Sequence, residues 1–192
     1  MFAIAAVSQN WGIGKDNRLL FHISADMKRF RALTENKTVL MGRKTLESLP
    51  GGKGLPRRRN IVLTANPAFT APGAEIARTP VQAVFSAGED AAIIGGESVY
   101  RLFLPLCERV YLTKVFADAD ADADAFFPDL DADPHWQVAQ ESEIFEEDGL
   151  RYQFVDYIPV EKTDDLTGLL PDRSDPLPFS PIPDFSDLSG LV

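Results

Sequence analysis

Asp26 is the residue around which chemistry could be built. Residues 25–33 carry a helical period, with Ser24 in the place of an N-cap. On that period Asp26, Phe30 and Leu33 share a face at i, i+4 and i+7, bordered by Met27, while Lys28, Arg29 and Arg31 point elsewhere. The apolar side of this helix therefore carries an acid. A carboxylate in a first turn gains about 0.3–1 kcal/mol from the positive helix end, which needs no function behind it. Alternatively it faces a cleft, where an ionised group can hold a cationic or amidine-like part of a ligand.

Two further stretches suit an anion. The apolar run 38–41 closes on Gly42 and enters a short helix over 43–48 that opens with Arg43, Lys44 and Thr45. The apolar run 91–94 closes on Gly95 and Gly96 before a helix that runs from Glu97, Ser98, Val99 and Tyr100 to about Leu104. Glycine between a strand and a helix permits close backbone approach, and free N–H groups at the positive helix end are aimed at phosphate. A plain turn, with solvated basic residues or a positive φ, is the other reading at each. Arg57, Arg58 and Arg59 form a basic triplet in an acidic chain, either an anion site or a solvated turn.

These residues must be positioned by an alternating chain. Residues 4–7 read as a buried strand, 10–17 as a glycine-punctuated loop, 50–54 as another loop, 61–64 as a strand and 75–77 as a weak one. Pro80 starts a helix through Val84 and Phe85, and 108–116 alternates as a strand. Residues 117–133, rich in Asp and Ala, read as a solvated connection. They lack the glycine and terminal glutamate of an EF-hand. Residues 136–145 and 152–158 flank a turn and read as a hairpin. The order predicts an α/β sandwich whose mostly parallel sheet has an antiparallel strand at its edge. Ligands in such sheets bind beyond the carboxyl ends of the strands, where Asp26, Gly42, Thr64, Gly95 and Gly96 can converge.

The chain of 192 residues suits one sizeable core. With one cysteine, Cys107, and two histidines, no metal site is expected. A formal charge of −10 argues against nucleic-acid binding. No secretory pattern opens the chain and no apolar run approaches the roughly 20 residues that span a bilayer, so a cytoplasmic protein without membrane contact is expected. Half of the net charge lies in residues 159–192, which also hold six of the 14 prolines and show no periodicity. That tail reads as a disordered appendage of unknown partner.

Over residues 1–158 the chain resembles dihydrofolate reductase of the bacterial chromosomal type. The resemblance rests on Ile4 to Ala6; Gly12, Ile13, Gly14 and Asn17; Asp26 with Phe30; and Val39 through Thr45. It rests also on Leu55 and Pro56 with Arg58 to Asn60, on Ile94 to Gly96 with Tyr100, and on Tyr111 to Thr113. It implies a three-layer sandwich closed by an antiparallel C-terminal hairpin, and NADPH-dependent reduction of 7,8-dihydrofolate by a monomer. Asp26 would hold the pterin's amidine-like edge and Thr113 would support it. Ile4, Ala6, Met27, Phe30, Leu49, Leu55, Ile94 and Tyr100 would wall the substrate, and Arg58 would pair with its glutamate carboxylate. Ala6, Ile13 and Gly14 would lie near the nicotinamide, with Leu19 and Phe21 in the loop over it. The pyrophosphate would fall to Gly42 through Thr45 and to Gly95, Gly96, Glu97, Ser98, Val99 and Tyr100. Leu63, Thr64, Arg43 and Arg78 would meet the adenosine end. The family's paired glycines imply a cis peptide between Gly95 and Gly96. Leu20 and Phe21 stand where many members have proline and tryptophan, and Leu46 replaces a frequent tryptophan. Phenylalanine lacks the indole N–H that could hold a water.

Overall fold

The computed structural model describes residues 1–117 and 123–160. The first half of the chain forms β1 (Phe2–Val7), β2 (Gly12–Lys15), β3 (Arg18–Leu19), α1 (Ser24–Thr34), β4 (Thr38–Gly42), α2 (Arg43–Ser48) and β5 (Arg59–Leu63). The second half forms β6 (Glu75–Ala77), α3 (Pro80–Ala87), β7 (Ala92–Gly95), α4 (Glu97–Phe103), β8 (Arg109–Val115), β9 (Ala125–Phe126), β10 (Trp136–Glu147) and β11 (Leu150–Pro159). Eight strands make one sheet in the order β10-β11-β8-β1-β7-β4-β5-β6. From β8 to β6 every pairing is parallel, and β11 alone runs against its neighbours. The expected antiparallel hairpin thus closes one edge of the sheet, with β10 outermost and β11 against β8.

The apolar runs of β4 and β7 carry no charge because both of their faces are covered. One face packs Leu40, Ile93 and Val110 against Ala83 and Ala87 of α3 and Val99, Tyr100 and Phe103 of α4. The other packs Ile4, Met41, Val62 and Ile94 against Phe30 and Leu33 of α1 and Leu46 of α2. Three layers result. Within the second layer Asp26 shares the inward side of α1 with Phe30 and Leu33, as the period requires.

Two stretches read as irregular are ordered. Residues 12–19 form a tight hairpin whose turn, Asp16 and Asn17, holds φ of 48° and 59°. Both central residues at positive φ is the primed turn that matches strand twist. Residues 123–133 are not a solvated connection. β9 pairs with β2, Phe127 donates its N–H to Trp11 O at 2.8 Å, and the carboxylate of Asp124 accepts the Asp16 N–H at 2.9 Å. Phe127 and Leu130 are fully buried, Phe127 between the rings of Trp11 and Tyr100. The tail expectation falls almost wholly on residues 161–192, outside the described residues.

Phe127 separates the two readings of its segment. Phe127→Ala should cost about 3–5 kcal/mol, measured as a fall in the urea midpoint of unfolding. A change of under about 0.5 kcal/mol, usual for surface positions, would restore the solvated connection.

Candidate active site

α1 enters the fold at Ile23, which takes the N-cap place with no side-chain cap, so Ser24 is the first helical residue and not the cap. The cap comes from elsewhere. Glu147, at the end of β10, accepts the N–H of Ser24 at 2.6 Å and of Ala25 at 3.3 Å. A carboxylate there both satisfies two orphan donors and meets the positive helix end. One turn on, Asp26 is 8% exposed, and the hydroxyl of Thr113 on β8 donates to its Oδ1 at 2.6 Å. Thr113 stands opposite Ala6 in the β1–β8 register, so β1, β8 and α1 meet at this carboxylate. Burial raises the pKa of Asp26 above its ordinary 3.8, while the Thr113 hydrogen bond and the charge of Arg29 pull it back.

The expected substrate wall is largely one body. Ile4 and Ile94 are buried, and Phe30, Leu49 and Leu55 pack half-buried against the same cluster. Met27 is half-buried beside Asp26. Tyr100 comes from the opposite layer and its hydroxyl donates to Ile4 O at 2.7 Å. Burial, with the Asp26 charge behind it, holds that phenol neutral. The arginine triplet is divided. Arg57 pairs with Glu35 and Arg59 with Glu75, while Arg58 turns to the end of α1. There its Nε and Nη2 donate to Thr34 Oγ1 at 3.2 and 3.0 Å, and its Nη1 donates to Pro56 O at 2.8 Å. This guanidinium is fixed in orientation. Phe21 packs with Ile23, Val115 and Tyr152, a cluster apart from the wall, and Leu19 is 65% exposed on β3.

The glycine turns lie side by side. β4 and β7 are neighbours, with Met41 opposite Gly95, and the helices after them start at Gly42 and Gly96 without side-chain caps. A Cβ on Gly42 would sit 3.2 Å from Val99 Cγ2, and one on Gly96 would sit 3.4 Å from Thr45 Oγ1. The peptide between Gly95 and Gly96 is cis. Around this cradle Arg43 is tied to Glu47, Lys44 is exposed, and Ser98 is half-buried. The carboxylate of Glu97 accepts the Phe126 N–H at 2.8 Å, which ties α4 to β9. Beyond β5, Leu63 and Thr64 are buried, and the Thr64 N–H donates to Ala77 O at 3.0 Å. The Arg78 guanidinium donates to the carbonyls of Asn66, Pro67 and Phe69, so it clasps the loop that follows β5. Ile13 and Gly14 lie on β2, where a Cβ at position 14 would stand 2.9 Å from Arg18 O.

Comparison with known proteins shows the family of the chain. The family model for dihydrofolate reductase matches residues 1–158. The dihydrofolate reductase of Neisseria meningitidis serogroup B is 41% identical over 158 residues, 81% of this chain and 95% of the relative. Dihydrofolate reductase type 3 of Salmonella typhimurium is 44% identical over 128 residues, 66% of this chain and 76% of the relative. A solved dihydrofolate reductase from Enterococcus faecalis, complexed with NADP(H) and RAB-propyl, superposes with a TM-score of 0.73. It is 28% identical and covers 82% of this chain and 95% of its own. The chain belongs to the dihydrofolate reductase family. Its activity is NADPH-dependent reduction of dihydrofolate to tetrahydrofolate.

As a dihydrofolate reductase the chain must accommodate a pyrophosphate, and its residues fit one. Two helix N-termini without side-chain caps, in contact across Gly42 and Gly96, offer backbone N–H groups to an anion, and a Cβ at position 42 would press on Val99. Among the described residues no group of His, Cys, Asp and Glu could hold a metal, and no helix is long and apolar enough to cross a membrane. Sequence reasoning missed Glu147 as the cap of α1, since its partners lie more than 120 residues away. Arg29, read as pointing off the face of Asp26, Phe30 and Leu33, packs on β8 and β11.

A buried acid of this kind has a cost that titration can read. Because the folded pKa of Asp26 is raised, the folded state holds a proton that the unfolded chain has already released above 3.8. Stability from this group is therefore full at low pH and is lost as pH rises through the folded value. Asp26→Asn, whose Oδ1 still accepts from Thr113, should melt higher than the native protein at pH 7. The two melting curves should converge below pH 3.8, and calorimetry across that range checks it.

Proposed function

We propose that Asp26 is the group that recognises the pterin, holding its amidine-like edge through paired hydrogen bonds while Thr113 fixes the carboxylate. The observation that carries this is one carboxylate, buried against an apolar wall and oriented by a buried hydroxyl. NADPH, when bound, supplies the hydride that reduces the ring. Ile4, Ala6, Met27, Phe30, Leu49, Leu55, Ile94 and Tyr100 exclude water from the pterin and the aminobenzoyl group. Gly42 through Thr45 and Gly95 through Tyr100 receive the pyrophosphate with backbone N–H groups, and Leu63, Thr64, Arg43 and Arg78 line the adenosine end. Ile13 and Gly14 meet the nicotinamide. Leu19 and Phe21 border the opening through which a water brings the proton for N5, and Asp26 favours that proton through its charge.

Arg58 is the substrate's anchor in this reading. Its guanidinium is already oriented by Thr34 and Pro56, which suits paired recognition of the glutamate carboxylate. This feature favours dihydrofolate over smaller pteridines and over pyrimidine intermediates that lack such a tail. We take residues 1–158 as the catalytic unit, acting as a monomer in the cytoplasm, with residues 159–192 as an appendage. Supporting this extent, the family match ends at 158 and β11 at Pro159.

NADPH consumption with dihydrofolate tests both roles. Asp26→Asn should lower turnover at neutral pH by roughly 10²-fold or more while leaving the Kd for NADPH near the native value. Arg58→Leu should raise the KM for dihydrofolate by roughly 10- to 100-fold, the loss of a charge-assisted hydrogen bond, without changing KM for a dihydropterin that has no glutamate. An unimpaired Asp26→Asn enzyme would remove Asp26 from its role.

A further inference from the structure

Arg29 lies three residues beyond Asp26 on α1, and it is only 19% exposed. Its Nη1 donates to Leu112 O at 3.1 Å and its Nη2 donates to Asp156 on β11. The guanidinium carbon lies 4.6 Å from the ring centre of Phe154 and 5.4 Å from that of Tyr111. Asp156 is itself buried and accepts a second, longer contact of 3.4 Å from Arg109, which also stands over Tyr111. The register explains the assembly. Asp156 is opposite Tyr111 and Phe154 is opposite Thr113, so the residues that clasp Arg29 and the hydroxyl that holds Asp26 occupy one face of the β8–β11 pair. A cation is thus fixed on the same helix as the pterin-binding acid, and a single carboxylate from the last strand neutralises it.

We propose that Arg29, clasped by Asp156 between the rings of Tyr111 and Phe154, is a positioning residue that biases Asp26 toward the charged form in which it meets the pterin. This rests on the reading of Asp26 as the substrate's acid. Among the described residues, the charged and titratable groups that interact with the acid or with its partners come from several elements. Arg29 is on its own helix and Thr113 on β8. Tyr100 approaches from α4 and Tyr152 from β11, both phenols resisting ionisation beside Asp26, and Glu147 caps the helix one turn away. Of these, Arg29 alone is a cation. Arg29 in turn faces Asp156 and Phe154 on β11, and Arg109, Tyr111 and the Leu112 carbonyl on β8. Removing the cation withdraws the one positive charge favouring the carboxylate. Removing its counter-charge leaves that positive charge un-neutralised, and the carboxylate is favoured more strongly. The two changes therefore push Asp26 in opposite directions.

The carboxylic-acid infrared band of Asp26, assigned by its absence in Asp26→Asn, follows this directly in the protein without ligands. In Arg29→Leu the band should persist to higher pH than in the native protein. In Asp156→Asn it should vanish at lower pH. The alkaline limb of turnover should move the same two ways. Arg29→Leu leaves Asp156 buried beside Arg109 alone and could fold poorly. The double variant Arg29→Leu with Asp156→Leu removes the pair together and should titrate between the native protein and the single Arg29 variant. Arg29→Lys, which keeps the charge, should stay near the native midpoint. Unmoved titrations, or shifts of one sign in both single variants, overturn the proposal. A native protein that oxidises no NADPH with dihydrofolate would instead overturn the assigned roles, and the band would still report on the pair.

Discussion

The structure depends on keeping one carboxylate out of water without leaving it unsatisfied. An ionised group buried in apolar surroundings is costly unless it is paired or hydrogen-bonded. Asp26 sits on the inward face of α1 against the apolar layer of Ile4, Ile94 and Phe30, and the protein gives it the Thr113 hydroxyl at 2.6 Å and the nearby charge of Arg29. Neither removes the effect of burial, since the proton is still held more tightly than by an ordinary aspartate. A group so poised costs stability at neutral pH, a cost that the proposed role in binding would explain.

The second requirement is opposite in sign. The cradle at Gly42 and Gly96 places two positive helix ends without side-chain caps next to each other, and like-signed ends repel unless an anion lies between them. The parallel order of β4 and β7 forces that neighbourhood, because both helices must leave from the same edge of the sheet. Thus one sheet edge presents a negative group under α1 and a positive cradle between α2 and α4. A ligand pair with a nitrogen-rich ring at one end and phosphates at the other matches both. The glycines keep the cradle open; a methyl at position 42 would press on Val99.

Much of this was legible because its signals are local. The i, i+4, i+7 spacing of Asp26, Phe30 and Leu33 marked the acid's face, and strand–glycine–helix junctions at Gly42 and Gly95 marked the cradle. The family motifs carried the expected cis peptide. What was not legible depends on partners distant in sequence. Ser24 looked like the cap of α1, but Glu147 does the capping through a hairpin that folds back over the helix. Three adjacent arginines looked like one basic feature and serve three different neighbours. The Asp/Ala-rich composition around Phe127 suggested solvent, yet that ring fills the gap between Trp11 and Tyr100. Asp16 and Asn17 did carry a turn signal, but strands of four and two residues are too short to show alternation.

These distant partners share one origin. Glu147, Phe154 and Asp156 all belong to the C-terminal hairpin, and each acts on α1, at the opposite end of the described chain. Before β11 pairs with β8, α1 lacks its cap, Arg29 lacks its counter-charge, and the face of β8 bearing Thr113 lacks its outer neighbour. Such pairings span more than 80 residues and incur their loop-closure entropy before any contact rewards it. The electrical environment of the acid therefore depends on the strand that reverses the sheet. Running against β8, β11 brings Phe154 beside Thr113 and Asp156 beside Tyr111, and this alignment lets a single ion pair reach back to the first helix.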